Sequence, residues 1–258
     1  MHNAAFAALG LKAHYEALDV PPTELGKAVA DLRRAEVLGA NVTVPHKLAV
    51  MPHLDDLSPE AEAIGAVNTV IHEDGHLLGH NTDAEGFLRA LEAAGFDPAG
   101  KRAVVLGAGG AARAVVYGLL GAGSSVHIHN RTVRKAQALA SAFRHGEAEP
   151  LAKDELMRAV RGCDLLVNTT SVGMETGGRD PDVSPLLGDT LPERGLVCDI
   201  IYKPAETRLL RSAAAAGLDT QNGLPMLVYQ GAASFERWTG RAPDVGVMFG
   251  AARASLGV

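Results

Sequence analysis

Apolar and polar positions follow two textures along the chain, and the change falls near residue 100. Before it, apolar residues sit at helical or alternating spacing. Phe6, Leu9 and Leu11 among alanines predict helix within residues 4–18, with a short extended run over Ala13–Leu18. Pro21-Pro22-Thr23-Glu24 opens a second helix carrying Leu25, Val29 and Leu32 at helical spacing. The apolar, β-branched run from Leu38 to Pro45 predicts a buried strand closed by proline, and Pro45-His46-Lys47 opens a helix through Val50. Ser58 followed by Pro59 is a helix cap with proline at the first helical position. A strand at 66–72, the turn Glu73-Asp74-Gly75 and a partner at 76–80 form a hairpin. Asn81-Thr82-Asp83 then caps a helix from Ala84 to Gly95.

Beyond Gly100 the apolar residues form short uninterrupted runs. Ala103–Leu106 reads as a strand that runs into Gly107-Ala108-Gly109-Gly110-Ala111-Ala112 and a helix through Leu120. A second strand covers 125–129, a helix 133–143, and further apolar strands 165–167 and 196–201. Strands alternating with helices in this way predict a parallel sheet covered on both faces. From Gly223 the chain is helical to its end, and the Gly/Pro-rich run Gly173–Pro185 is expected to be a mobile loop.

Composition narrows the class. Hydrophobic residues make up 47% and charged residues 21% of 258, enough apolar matter for a packed core and too little charge for disorder. The net charge of −6 lacks the basic surplus of a nucleic-acid binder. No stretch approaches the ~20 apolar residues of a membrane helix, and the start has no secretory pattern. Cys163 and Cys198 form no CxxC pattern and read as buried thiols. A cytoplasmic enzyme is expected, as a monomer or homodimer.

The pattern Gly107-x-Gly109-x-x-Ala112 lies between a strand and a helix, the context a dinucleotide site requires. The first glycine permits the turn, the second lets the backbone approach a diphosphate, and the alanine allows close helix packing. The helix N-terminus then offers N–H groups to the phosphates. An NAD site usually has a carboxylate at the end of the second strand. Here that strand ends in Asn130-Arg131-Thr132, with Arg134 and Lys135 following, so a 2′-phosphate would meet positive charge. NADP is therefore the expected cofactor.

Three polar motifs close elements in the first 83 residues: Asn41-Val42-Thr43-Val44-Pro45-His46-Lys47, Ala66-Val67-Asn68-Thr69 and Asn81-Thr82-Asp83. Their amides, hydroxyls, ammonium and carboxylate suit a polyhydroxylated ligand, whose discrimination rests on such matching. A lysine beside a carboxylate can also handle a proton. On spacing alone, strand-end capping and a surface ion pair explain these residues equally well.

Together these motifs resemble the shikimate dehydrogenase family. Gly65-Ala66-Val67-Asn68-Thr69, Asn168-x-Thr170-x-x-Gly173, Asp199-x-x-Tyr202-x-Pro204 and Gly223-x-x-Met226-Leu227-x-x-Gln230 extend the resemblance over essentially the whole chain. It implies NADPH-dependent, reversible reduction of 3-dehydroshikimate to shikimate, with Lys47 as principal acid–base residue and Asp83 as its partner. Asn68, Asp83, Thr43, Tyr202 and Gln230 would contact substrate, with Asn41 supporting their loop. Gly107, Ala108, Gly109, Gly110 and Ala111, then Asn130, Arg131, Thr132 and Lys135, would hold the cofactor's phosphates and ribose. Thr170, Ile200, Gly223 and Met226 would lie along it toward the nicotinamide. The implied fold is α/β with two domains. Residues 1–83 and 224–258 form a substrate domain completed by C-terminal helices, and 84–223 a Rossmann-type NADP domain, with the active site in the cleft between them. The alternatives are a quinate/shikimate dehydrogenase with relaxed cofactor use and a noncatalytic NADPH-binding regulatory protein.

The family usually begins with a β-strand and a Gly-x-Pro…His-Ser-x-Ser-Pro-x-Met-His-Asn segment, which this chain matches from Met1-His2-Asn3 onward. Either the working protein is longer, with the strand and the carboxylate-binding serine pair upstream of Met1, or the chain is truly shortened; the first is expected. The remaining features read as structural. His127 and His129 share a strand face without a third ligand, so no metal is expected. His46 is ordinary loop polarity, Phe235 and Trp238 are core, and Ser171 lacks the surroundings of a nucleophile.

Overall fold

The structure, a computed structural model, describes residues 1–143, 148–175, 180–186 and 190–257. The chain divides into two compact units, Met1–Gly86 with Val228–Val258, and Phe87–Leu227.

In the first unit, α1 (His2–Ala8), α2 (Leu25–Asp31), β1 (Gly39–Asn41), β2 (Asp56–Leu57), α3 (Pro59–Ile64), β3 (Thr69–Glu73) and β4 (His76–His80) follow in order. The sheet runs β1-β3-β4-β2. β3 pairs antiparallel with β1 and β4, whereas β2 joins β4 in parallel. Asp74 and Gly75 both have positive φ, as the tight hairpin connection requires. Leu25, Val29, Val50, Ala61, Val67, Val70 and Leu77 form a buried core under this sheet. Ser58 Oγ accepts from Ala61 N–H and caps α3.

Two expected elements fail to form here. Ala13–Leu18 adopts no strand, and residues 44–50 form turns instead of a helix. The second has a local cause: the Lys47 carbonyl accepts from Val67 N–H at 2.8 Å, tying this loop to its neighbour instead of to its own next turn. The expected strand over Leu38–Pro45 shrinks to β1.

The chain continues through α4 (Asp83–Ala93), β5 (Arg102–Leu106), α5 (Gly110–Gly121), β6 (Ser125–His129), α6 (Val133–Ala142), β7 (Ala148–Pro150), α7 (Leu156–Gly162), β8 (Leu165–Asn168), β9 (Leu196–Asp199), α8 (Arg208–Ala215) and β10 (Asp219–Gln221). The sheet of the second unit is parallel throughout, in the order β10-β9-β8-β5-β6-β7. Its central strands β8 and β9 are buried at every position, as a sheet covered on both faces demands. Val104, Leu106, Leu166, Val197, Leu209 and Leu210 join one core cluster beneath it. The strand order reverses between β5 and β8, the place where doubly wound sheets bind ligands. Of the expected loop Gly173–Pro185, residues 176–179 lie outside the described residues, and the described remainder carries no helix or strand.

The expected C-terminal helices are two, α9 (Leu224–Thr239) and α10 (Val245–Leu256). They are separated at Gly240, whose φ is +65, and α10 restarts on an Asp244 cap. In the first unit Phe235 is fully buried against Phe6, with ring centroids 4.8 Å apart, and Trp238 Nε1 donates to the Val70 carbonyl.

Candidate active site

Lys47 sits on the turn-rich loop after β1, Asn68 on the residue before β3, and Asp83 on the first residue of α4. The fold gathers them into one cluster. Lys47 Nζ donates to Asp83 Oδ2 at 2.5 Å, and Asn68 Nδ2 donates to Asp83 Oδ1 at 2.8 Å. The Asp83 backbone N–H donates to Asn81 Oδ1, and Asn81 Nδ2 donates to the Ala66 carbonyl, which holds the start of α4 in place. The carboxylate thus stands at a helix N-terminus, where negative charge is favoured. Side-chain exposures of 13% for Lys47 and 5% for Asp83 leave little water to screen the pair. An ammonium so held can give a proton to a developing alkoxide or return from having lost one, while the carboxylate stabilises its charged form.

Gln230, on α9, accepts at Oε1 from Asn68 Nδ2 at 3.2 Å, which places it beside the same amide. Asn41 accepts from the Tyr15 hydroxyl at 3.1 Å and donates to Ser234 Oγ at 3.0 Å. Thr43 is exposed on the loop carrying Lys47. His46, next to Lys47, bonds at Nε2 to the Val20 carbonyl instead of joining the cluster. Three hydroxyls join the cluster, Thr69 and Thr82 from the polar motifs and Ser234, which the sequence left without a role; all are buried and mutually within 3.3 Å. The signal for Ser234 was its spacing of one helical turn from Gln230, which puts both on one face of α9.

In the second unit the glycine turn leaves the C-terminal end of β5. Gly107 has φ +116, and a Cβ there would stand 2.4 Å from Thr169 Oγ1, so only glycine turns this corner. Gly109 is exposed, with nothing within 4 Å of where its Cβ would lie. α5 begins at Gly110, and its first N–H groups have no partners within the helix. Ala108 and Ala111 flank these glycines half-buried, and Ala112 is fully buried against the sheet. A dinucleotide diphosphate fits this open cradle. After β6, Asn130 Nδ2 donates to the Thr132 carbonyl, while Arg131, Thr132 and Lys135 are exposed at the start of α6. Residues 130–135 include no carboxylate.

Thr170, Ile200 and Gly223 lie past the C-terminal ends of β8, β9 and β10. Asn168 links the first two: its Oδ1 accepts from the Thr170 hydroxyl at 2.7 Å, and its Nδ2 donates to Asp199 Oδ1 at 3.1 Å. A Cβ at Gly223 would stand 1.9 Å from the Ile200 carbonyl oxygen, so that crossing requires glycine. Met226 is buried on the first turn of α9, and Tyr202 is exposed on the segment after β9. Asp199 is 1% exposed; burial pushes its carboxyl up to about 6, against the opposing effect of bonds from Asn168, Ile201 N–H and Thr207. His127 Nε2 lies 3.8 Å from Glu149 on the neighbouring strand, and His129 bonds to the Leu151 carbonyl. Among the described residues, no helix is long and apolar enough to cross a membrane.

A glycine turn at the switch point of a doubly wound sheet, and a shielded lysine–carboxylate pair in a separate unit, are what a two-domain nicotinamide-dependent oxidoreductase would need. Residues 1–70 match the shikimate dehydrogenase substrate binding domain, 90–176 match shikimate / quinate 5-dehydrogenase, and 223–253 match the shikimate 5′-dehydrogenase C-terminal domain. A shikimate dehydrogenase (NADP(+)) of Thermus thermophilus is 50% identical over 258 residues, covering 100% of this chain and 93% of the relative. One of Symbiobacterium thermophilum is 48% identical over 264 residues, covering 99% of this chain and 89% of the relative. The crystal structure of shikimate 5-dehydrogenase from Thermus thermophilus in complex with NADP(H) and shikimate aligns with a TM-score of 0.90 at 47% identity, over 99% of this chain and 93% of that one. The chain belongs to the NADP-dependent shikimate dehydrogenase family of oxidoreductases.

Proposed function

We propose that this chain interconverts 3-dehydroshikimate and shikimate with NADP, Lys47 being the principal acid–base residue and Asp83 its partner. The observation that carries the reading is the shielded Lys47–Asp83 pair, bridged by Asn68 to Gln230. NADPH, when bound, supplies hydride to the ring carbonyl carbon. Lys47 Nζ gives a proton to the alkoxide oxygen in reduction and takes it from the hydroxyl in oxidation. Asp83 holds the ammonium in line and, with Asn68 and Gln230, binds ring hydroxyls; Thr43 and Tyr202 also contact substrate, and Asn41 braces the loop.

Gly107, Ala108, Gly109, Gly110 and Ala111 hold the diphosphate. Arg131, Thr132 and Lys135 meet the 2′-phosphate, with Asn130 shaping their turn. Thr170, Ile200, Gly223 and Met226 flank the nicotinamide half. The enzyme works in the cytoplasm, as a monomer or homodimer. Following NADPH formation in purified protein supplied with shikimate and NADP tests the reading. Turnover that exceeds the rates with quinate and with NAD is expected. NADP binding without any turnover would overturn it in favour of a regulatory NADPH-binding protein.

A further inference from the structure

Beyond the acid–base pair, a line of buried and half-buried polar groups crosses the first unit, and its fixed donors and acceptors permit hydrogen bonds that run in one direction. Two backbone groups set that direction. Asn41 Nδ2 donates to the Asn68 carbonyl at 3.3 Å, which orients the Asn41 amide and obliges its Oδ1 to accept from the Tyr15 hydroxyl. The Thr82 N–H donates to Asn68 Oδ1 at 2.8 Å, which turns the Asn68 amide nitrogen toward Asp83. Without such fixed donors and acceptors, amide orientation would be arbitrary.

The hydroxyl protons follow. Asn41 Nδ2 donates to Ser234 Oγ, and Thr69 Oγ1 donates to Asn68 Oδ1 at 2.9 Å. Thr69 and Ser234 are 2.7 Å apart and either hydroxyl can donate; with the Thr69 proton on Asn68 Oδ1, Ser234 is the donor. The Gln230 carbonyl competes for the Ser234 proton only at the longer distance of 3.0 Å. Asn68 Nδ2 has two protons for three acceptors, Asp83 Oδ1 at 2.8 Å, Thr82 Oγ1 at 3.0 Å and Gln230 Oε1 at 3.2 Å, and Thr82 Oγ1 lies 3.1 Å from Ser234 Oγ and 3.2 Å from Asn68 Oδ1. Asn68, Thr69, Thr82, Asp83 and Ser234 are all buried, where unmatched groups are costly.

We propose that Tyr15 and Ser234 are positioning residues of the site. They drive a chain of donated hydrogen bonds, through Asn41 and Thr69, that ends on the Asn68 amide. Aligned bonds polarise one another. The chain therefore locks the Asn68 N–H on Asp83, and Asp83 keeps Lys47 aimed. Neither residue touches the reacting atoms. The effect on turnover rests on the acid–base reading of Lys47 above.

The test compares the full chain with Tyr15→Phe, which removes one half-buried hydroxyl, and with Ser234→Ala and Ser234→Cys. The side-chain amide signal of Asn68, identified by its loss in Asn68→Asp, is followed by nitrogen–proton NMR. Kinetics with shikimate and NADP are measured alongside. The Asn68 signal is expected to move in Tyr15→Phe. Turnover should fall about three- to tenfold, the weight of one hydrogen bond, while KM for NADP is unchanged. Ser234→Ala should act more strongly, and Ser234→Cys should recover part of the loss. If Ser234→Ala does not fold, Tyr15→Phe decides alone. An Asn68 signal that stays in place in Tyr15→Phe would overturn the proposal, as would a moved signal with unchanged turnover. Were the unaltered chain unable to oxidise shikimate, the acid–base reading would fail, and the chain of hydrogen bonds would be judged on the Asn68 signal alone.

Discussion

Lys47 and Asp83 meet at 2.5 Å although 36 residues separate them in sequence. One comes from a loop of turns and the other from the first turn of a helix, and both side chains are shielded, unlike an exposed ion pair, which would be worth little. Breaking the pair from one side leaves the other charge shielded and unmatched, which is more damaging than its net contribution suggests. This asymmetry shapes what substitution at the site should do.

Lys47→Ala is expected to lower turnover with shikimate by roughly 10²–10⁴-fold, the usual contribution of a positioned acid–base group. The affinity for NADP, measured by titration of the purified protein, should change little. Asp83→Asn added to Lys47→Ala should cost much less than it does alone, because the two act as a unit. Near-normal turnover in Lys47→Ala would remove the residue from the mechanism.

Arg131→Asp places a carboxylate where the chain has a guanidinium on an exposed corner after β6. Loss of a charge-assisted bond to the 2′-phosphate should shift the NADP-to-NAD ratio of kcat/KM toward NAD by about 10- to 100-fold. An unchanged ratio would show that other groups select the cofactor.

Asp199 gives the second unit a pH dependence. Its folded pKa, about 6 against an ordinary 3.8, is raised by burial, so the folded state binds the proton more tightly than the unfolded chain. The resulting stabilisation is full below pH ~4 and is lost as pH rises through about 6, an amount on the order of 3 kcal/mol. Asp199→Asn can keep the contacts to Asn168, Ile201 and Thr207. Urea unfolding of this variant should therefore lack the decline between pH 4 and 6 that the parent chain shows. The same slope in both would assign it to another group.

Both thiols should be inert in the native protein. Burial, reinforced by the neighbouring Asp164, pushes Cys163 up to about 12, and burial with Asp199 alongside raises Cys198 as well. Thiolate is the reactive form, so alkylation should be slow until denaturant is added. Rapid labelling of the folded chain, followed by mass spectrometry, would contradict the burial of either residue.

How much of this could be read from the chain differs by element. The strand–glycine–helix unit at 102–121 was legible because its signals are local: an apolar run, glycines at 107 and 109, and a small residue at 112. β7 and β10, polar three-residue edge strands, were not read in advance; pairing with β6 and β9 makes them strands. Likewise, residues 45–50 carried a helix signal that lost to a carbonyl bond with Val67.

The sequence by itself determined the α/β class, the cofactor turn and the polar motifs, because each depends on the period and residue types of a short segment. Tertiary structure alone decided that Lys47 meets Asp83, and that Ser234 on α9 joins Thr69 and Thr82 to steer the Asn68 amide. Those contacts depend on how distant elements pack and on where each buried proton must go, and no local pattern records either.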